Sequence, residues 1–481
     1  MLRLKAGDDP PVQSNELRDS RTVVWQPDIV PTQILERFVT QPNRRQIIVG
    51  VSAAALAVAA GTMAACSSSG DTREDGADGQ APPLPTGLKN DLMRLTDSKH
   101  ILGCSVSAVT REGTVYVDAW GEAKAGQPMT ALSTINIGSV SKTITATAVL
   151  QLVAAGRIGL DTDVNDVLAE SKAYGPRSVR SPYYPDTPIT VRYLLAHLTP
   201  LTTGPELGPY GYAPRTGPAP DSGELGRWLH DFLTPVPRGW TYSREENFTK
   251  SKPGQVHMYS DIGFDLAGFL VHAVTGQPFA DYCREHVLQP AGMVNSDFDR
   301  DRIPDGRRAY PHAWFENGVK KGMWLDYRNL IPVGIADDYT GHAEYSPYAS
   351  CLTPDGGLRS NSLDLARWAR VWLGNGVLDG VEVLPRAQAS AALADQVSPE
   401  IMASSEAPLP FISQGYAWHR LRGDADGQWQ HAGSEVGTAS YVKIDTARGV
   451  GAAIVMNTEV AIDGDPRPQM LQQLMDAAAA H

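Results

Sequence analysis

Asn136-Ile137-Gly138-Ser139-Val140-Ser141-Lys142-Thr143 opens a segment that reads as a helix, with a serine and a lysine three residues apart. That spacing is roughly one helical turn, so the Ser139 hydroxyl and the Lys142 amine project from one face within hydrogen-bond reach. A serine hydroxyl alone is a poor nucleophile at neutral pH. A lysine partly buried beside it can lose enough basicity to take its proton, which makes Ser-x-x-Lys a self-contained nucleophile and base. The plain alternative is an N-cap serine followed by a solvated lysine. The continuation, Thr143 to Val153, is apolar or small at nearly every position and stops at Gly156. A helix apolar on all sides is a buried helix, which places its first turn inside the protein.

Two further stretches carry chemistry. Tyr259-Ser260-Asp261 precedes Ile262, Leu266, Phe269, Leu270 and Val274 at helical spacing, and Thr275-Gly276-Gln277-Pro278 ends the run. Asp261 suits an N-cap, and Tyr259 stands just before the helix, where a phenol can face a cleft. His431-Ala432-Gly433-Ser434 lies between a polar turn, Gly423 to Gln428, and a strand starting near Ala439. A lone histidine there is by itself an ordinary surface or core residue. Strand patterns occur at both ends of the folded part, in Cys104 to Val109 and Thr114 to Val117, then in Ala439 to Ile444 and Val450 to Met456. Helices lie between them. The expected class is therefore mixed α/β (α+β), with one antiparallel sheet built from both chain ends, flanking helices and a mostly helical sub-domain.

Taken together and in this order, the three stretches resemble the serine beta-lactamase and D,D-peptidase superfamily, in particular its class C branch, which also holds D-aminopeptidases and carboxylesterases. The likeness runs from about Leu88 to Met470. Thr190-Val191-Arg192-Tyr193-Leu194-Leu195-Ala196-His197-Leu198-Thr199 is similar to the family's Thr-Val-Arg-x-Leu-Leu-x-His-Thr-Ser segment, and Pro290-Ala291-Gly292-Met293 to its Pro-Leu-Gly-Met turn. Asp355-Gly356-Gly357-Leu358-Arg359-Ser360 resembles its Gly-Gly-Leu loop. The resemblance implies that Ser139 attacks a carbonyl while Lys142 and Tyr259 exchange the proton. It further implies that backbone N–H groups of Ser139 and Ser434 face the oxyanion, and that Gly433 lets the strand approach the substrate closely. It implies no cofactor.

Two departures from that pattern narrow the expectation. The usual asparagine is Asp261, which when ionised accepts but does not donate hydrogen bonds, and which should raise the Lys142 pKa and move the base role toward a Tyr259 phenolate. His431 stands where true beta-lactamases carry a lysine for the substrate carboxylate, and a neutral imidazole grips a carboxylate weakly. The expected activity is hydrolysis of an ester, amide or D-amino-acid peptide through an acyl-serine, with weak beta-lactamase activity at best. A non-catalytic cell-wall or penicillin-binding lipoprotein and an acyl transferase are the alternatives. Aromatic loops, from Thr202 to Pro253 and from Tyr310 to Tyr348, are read as walls of the site or as ordinary packing.

Composition bounds the partners. The chain has 481 residues, 42% of them hydrophobic and 20% charged, enough for a large core, and a net charge of -12 that disfavours nucleic acid. Its 11 histidines and 4 cysteines include neither His-Glu-x-x-His nor Cys-x-x-Cys, so no metal is expected. A small molecule or peptide is the expected substrate, and the oligomeric state is not legible. Residues 1–43 read as a cytosolic preface that a start further downstream would omit. Residues 44–66, with Arg44-Arg45, an alanine-rich run and Met63-Ala64-Ala65-Cys66, look like a twin-arginine signal with a lipobox, so Cys66 is the expected lipidation site. An uncleaved N-terminal membrane helix is the alternative. Residues 67–87 read as a disordered tether and 88–478 as the catalytic domain. The expected location is outside the cell membrane, anchored to its outer face. With Cys66 lipidated, Cys104, Cys283 and Cys351 allow at most one disulfide.

Overall fold

The computed structural model describes residues 81–202, 222–235, 242–322, 331, 334–346, 348–405, 410–460 and 464–481. The signal, Cys66 and residues 67–80 of the tether lie outside them, as do Tyr210, Tyr212, Trp240, Trp324 and Tyr327.

Strands β1 (Gly103–Thr110) and β2 (Thr114–Lys124) form a hairpin, extended by the short β3 (Gln127–Pro128). The late strands β4 (Phe411–Gln414), β5 (His419–Leu421), β6 (Gln428–Glu435), β7 (Thr438–Asp445) and β8 (Val450–Met456) complete an eight-stranded sheet in the order β4-β5-β6-β7-β8-β1-β2-β3. The chain ends meet in the β1–β8 pair, antiparallel with Cys104 opposite Met456 and Thr110 opposite Val450. This is the sheet expected from the strand patterns at the two ends.

Both faces of the sheet are covered, which is why β1 and β8 are apolar or small almost throughout. Alternate residues of β1 point opposite ways. Cys104, Val106 and Ala108 join Ala452, Ile454 and Met456 in a core with Met470, Leu471 and Leu474 of the C-terminal helix Arg467–Ala479. On the other face Ser107 Oγ donates to the carbonyl of Ser362 at 2.9 Å, at the start of the helix Ser362–Leu373. Cys104 and Cys283 are buried free thiols.

Helix α1 (Ser141–Ala154) and helix α2 (Asp261–Thr275) are the centre of the helical part, and their side chains share the larger apolar core. Helix α1 is buried without a break from Ser141 to Leu150. Its threonines survive burial because their hydroxyls find carbonyls: Thr143 bonds Val140 O and Thr147 bonds Thr143 O, each at 2.8 Å. Thr145 instead reaches across to Pro354 O at 2.6 Å. Ser139 sits in a 3-10 turn, Gly138–Val140, immediately before α1 and not within it. Among the described residues no helix is long and apolar enough to cross a membrane.

Several loop aromatics are packing residues. Trp228 stacks on Phe232 at 4.7 Å between ring centroids, and Phe315 and Tyr345 belong to a small separate core beside a three-stranded sheet.

Candidate active site

The nucleophile turn is fixed from two sides. The two-residue strand Ile135–Asn136 pairs with Arg359–Ser360, and Asn136 Oδ1 accepts the Gly138 N–H at 2.7 Å. Gly138 then takes φ +53°, a left-handed conformation that glycine adopts without strain, and a Cβ there would stand 2.8 Å from Ser434 N. The turn therefore presses its backbone against β6. Gly433 completes this contact: a Cβ on it would lie 1.9 Å from Ile137 O and 2.4 Å from Ser440 Oγ. This glycine thus makes room for the segment that carries Ser139.

Lys142 is fully buried, and every proton on its ammonium has a partner. Its Nζ donates to Ser139 Oγ at 3.0 Å and to Asp355 O at 2.8 Å, and pairs with Asp261 Oδ1 at 2.6 Å. Asp355 Oδ2 stands 3.7 Å away. The Tyr259 phenol lies beside Ser139 and Lys142, its ring centroid 5.1 Å from Nζ. The three side chains singled out by spacing therefore share one place. Asp261 is the first residue of α2 and contacts Lys142; the N-cap is Ser260, whose hydroxyl accepts the Gly263 N–H at 3.0 Å. The expectation of Asp261 as N-cap is corrected by one residue.

Burial alone would drive the lysine toward its neutral amine, but the charges of Asp261, Tyr259 and Asp355 outweigh it and hold the ammonium well above its ordinary pKa. The proton held by Asp261 is as anticipated. The phenolate is not, because burial pushes the Tyr259 phenol up to about 12 against the pull of Lys142. At rest the site pairs a protonated lysine with a neutral phenol. Burial also lifts Asp355 to about 7, with Lys142 opposing and Asp261 adding to the rise. Asp265 Oδ1 accepts the Asp355 N–H at 3.3 Å, and burial holds its carboxyl well above the carboxylate range.

His431 lies on β6 and is buried. Its Nδ1 stands 2.8 Å from the Ala432 carbonyl, which only accepts, so the ring proton is on Nδ1 and Nε2 carries a lone pair. Burial and the nearby Lys142 charge push its pKa down to about 3, so the ring is neutral at pH 7.

Sequence reasoning missed the surroundings of this group. His419, 4.9 Å from His431 between ring centroids, is buried beside it. His197 stacks on Tyr259 at 4.4 Å, and its Nδ1 accepts the Ser260 N–H at 3.1 Å while its carbonyl accepts the Met258 N–H at 2.9 Å. One histidine thus grips the chain on both sides of Tyr259. Its own backbone is at φ +55°, a conformation costly for a residue with a Cβ. Asp355 and His197 were inside quoted motifs, and the buried lysine was the available signal, since a buried cation requires buried carboxylates. Among the described residues no group of His, Cys, Asp and Glu could hold a metal ion.

The family model "Beta-lactamase" matches residues 88–474. The chain belongs to the beta-lactamase family. It is a serine hydrolase of that family, 28% identical over 372 residues to "Penicillin-binding protein 4" of Amycolatopsis lactamdurans, covering 76% of this chain and 84% of the relative. It is 23% identical over 324 residues to the D-alanyl-D-alanine-carboxypeptidase/endopeptidase AmpH of Escherichia coli (strain K12), covering 67% of this chain and 71% of that one. Its fold is similar to that of D-amino acid amidase from Ochrobactrum anthropi SV3, with a TM-score of 0.60, 17% identity and coverage of 81% of this chain and 98% of that chain. In this beta-lactamase-family chain the matched region contains the Ser139–Lys142–Tyr259 group and the β6 strand.

Proposed function

We propose that the protein hydrolyses an ester, an amide or a D-amino-acid peptide through an acyl-Ser139 intermediate. The observation that carries this is the 3.0 Å bond from a buried, fully partnered Lys142 ammonium to Ser139 Oγ, with the Tyr259 ring 5.1 Å from Nζ. In the acylation step Ser139 Oγ bonds to the substrate carbonyl carbon and its proton passes to Lys142 Nζ, which hands one of its own to Asp261 at 2.6 Å. Nζ keeps its charge throughout. Tyr259 delivers its phenolic proton to the leaving oxygen or nitrogen and is reprotonated from Nζ, which takes back the proton left on Asp261, so that all three groups return to their starting states. The N–H groups of Ser139 and Ser434 receive the oxyanion, and water then cleaves the ester to Ser139.

The His431 tautomer supports weak beta-lactamase activity. A lone pair on Nε2 repels a carboxylate, where a lysine would attract it. Purified protein should label with a fluorophosphonate at Ser139, with no mass shift in Ser139→Ala. A panel of p-nitrophenyl esters, D-alanyl peptides and nitrocefin should rank nitrocefin far below the best substrate. Absent labelling, or nitrocefin turned over as efficiently as any ester, overturns the corresponding part of the reading. The N-terminal sequence supports export and anchoring through a lipidated Cys66 of a domain spanning 88–478. Fractionation of wild type and Cys66→Ser, with radiolabelled fatty acid incorporated only by the former, tests it.

A further inference from the structure

Against the strand Ile135–Asn136, just before the Ser139 turn, lies a cavity of about 210 Å³ lined in part by Arg300, Arg308 and Arg359. Arg359 is registered opposite Asn136 and is partly buried. Its guanidinium donates only to carbonyls, those of Phe298 at 3.3 Å, Gly357 at 3.2 Å and Tyr348 at 3.1 Å, and among the described residues no carboxylate forms an ion pair with it. Arg308 donates to Ile303 O at 2.7 Å, and its nearest carboxylate oxygen, on Asp301, is 4.0 Å away. Asp301 serves Arg300 as well, at 3.1 Å. Among the described residues no aspartate or glutamate lines the cavity. Burial, with the like charge of Arg300, lowers the Arg359 pKa, while Tyr348, Asp299 and Glu435 act at longer range in favour of its charge.

The rest of the wall is mostly apolar, with Ile135, Ile303, Ala309 and Pro311 closed by Tyr310 and Tyr348 and the polar Thr134, Asn136 and Thr438 among them. Guanidinium planes match a carboxylate two-pronged, and an apolar wall accepts a hydrocarbon body but not a hydrated dianion. We propose that this cavity binds the carboxylate of a small molecule or group with an apolar body, held by Arg359 and Arg308. The chemistry suits both a carboxylate carried by the substrate and a free carboxylic acid, such as the product that ester or amide hydrolysis releases.

Binding is measured by calorimetry on the full chain, with phenylacetate as probe and phenylacetamide and inorganic phosphate as comparators. The assay needs no turnover, so its failure leaves the hydrolase reading standing. Phenylacetate should bind saturably and the amide should not, and Arg359→Gln and Arg308→Gln should each weaken binding at least ten-fold. If Arg359→Gln does not fold, the partly exposed Arg308→Gln decides. No saturable binding, binding unaltered in the folded variants, or phosphate bound as well as phenylacetate overturns the proposal. Repeating the titration on fluorophosphonate-blocked protein separates the sources. Binding kept in the blocked protein assigns the cavity to a free acid, and binding lost assigns it to a carboxylate on the substrate.

Discussion

Lys142 is worth more to this site as a charge than as a length of side chain. It is the cation shared by Asp261 and Asp355, and Asp265 stands one hydrogen bond further away. Removing a buried cation leaves its carboxylates to pay the desolvation penalty alone, which costs roughly 3–5 kcal/mol when a buried pair is broken. Those carboxylates escape by taking up protons. Lys142→Met should therefore abolish measurable turnover and lower the melting temperature, and the deficit against wild type should be larger at pH 8 than at pH 5, where protonation relieves it. Thermal melts at the two pH values check this, and an equal deficit at both excludes the shared-cation account. A second test concerns Asp355, lifted to about 7 by burial. Its ionisation adds a negative charge beside Lys142 within the working pH range, so the kcat/KM profile of wild type should show an inflection near pH 7 that Asp355→Asn lacks. Asp261→Asn removes the nearest acceptor for the lysine proton and should move the acidic limb of the same profile.

At the scale of elements, the contact between the nucleophile turn and β6 organises the site. The turn can rest on the strand because Gly138 leaves room for the Ser434 backbone and Gly433 for the Ile137 carbonyl. Ser440 Oγ, from β7, ties the same place by donating to Ile137 O at 2.6 Å. Gly433→Ala would drive a methyl into the Ile137 carbonyl, and overpacking of this kind typically costs about 1–3 kcal/mol. The turn would be pushed off the strand, separating the N–H groups of Ser139 and Ser434. The variant should lose activity far more than stability, with fluorophosphonate labelling slowed at least ten-fold while the circular dichroism spectrum is retained. Labelling at the wild-type rate would show that the contact is dispensable. These elements differ in how far their sequences disclosed them. The Ser-x-x-Lys spacing, the unbroken apolar run of α1 and the alternating strands are local patterns, and each was legible. Asp355, His197 and His419 reach the site only through the packing of segments distant in sequence, and no periodicity marks them. The N-cap of α2 was misplaced by one residue because Ser260 and Asp261 are both good caps, and only the bond to Gly263 separates them.

For the whole molecule, the sheet closed by its two ends was predictable, whereas the electrical balance of the interior was not, because composition counts charges without saying which are buried. That balance has two opposed parts. Burial lowers His257 and His312 to about 4 and His431 to about 3, while it raises Asp355 to about 7 and lifts Asp297 and Asp364 as well. A histidine depressed in the folded state leaves stability intact above its unfolded pKa, roughly 6.5, and subtracts it as pH falls toward the folded value. An aspartate raised in the folded state works the other way: the folded form binds the proton more readily, so stability falls as pH rises from roughly 4 to the folded pKa. Between about pH 4 and 7 the two sets oppose each other, and single substitutions tilt the curve in opposite directions. His257→Gln retains a donor for Gln414 Oε1, which lies 3.2 Å from the imidazole, while removing the titration. Its melting temperature relative to wild type should rise as pH is lowered from 7 to 5. Asp355→Asn removes a group that gains from protonation, so its relative melting temperature should fall over the same interval. Scanning calorimetry of the three proteins at pH 5, 6 and 7 decides the matter, since shifts of the same sign in both variants are incompatible with two opposed sets of buried groups.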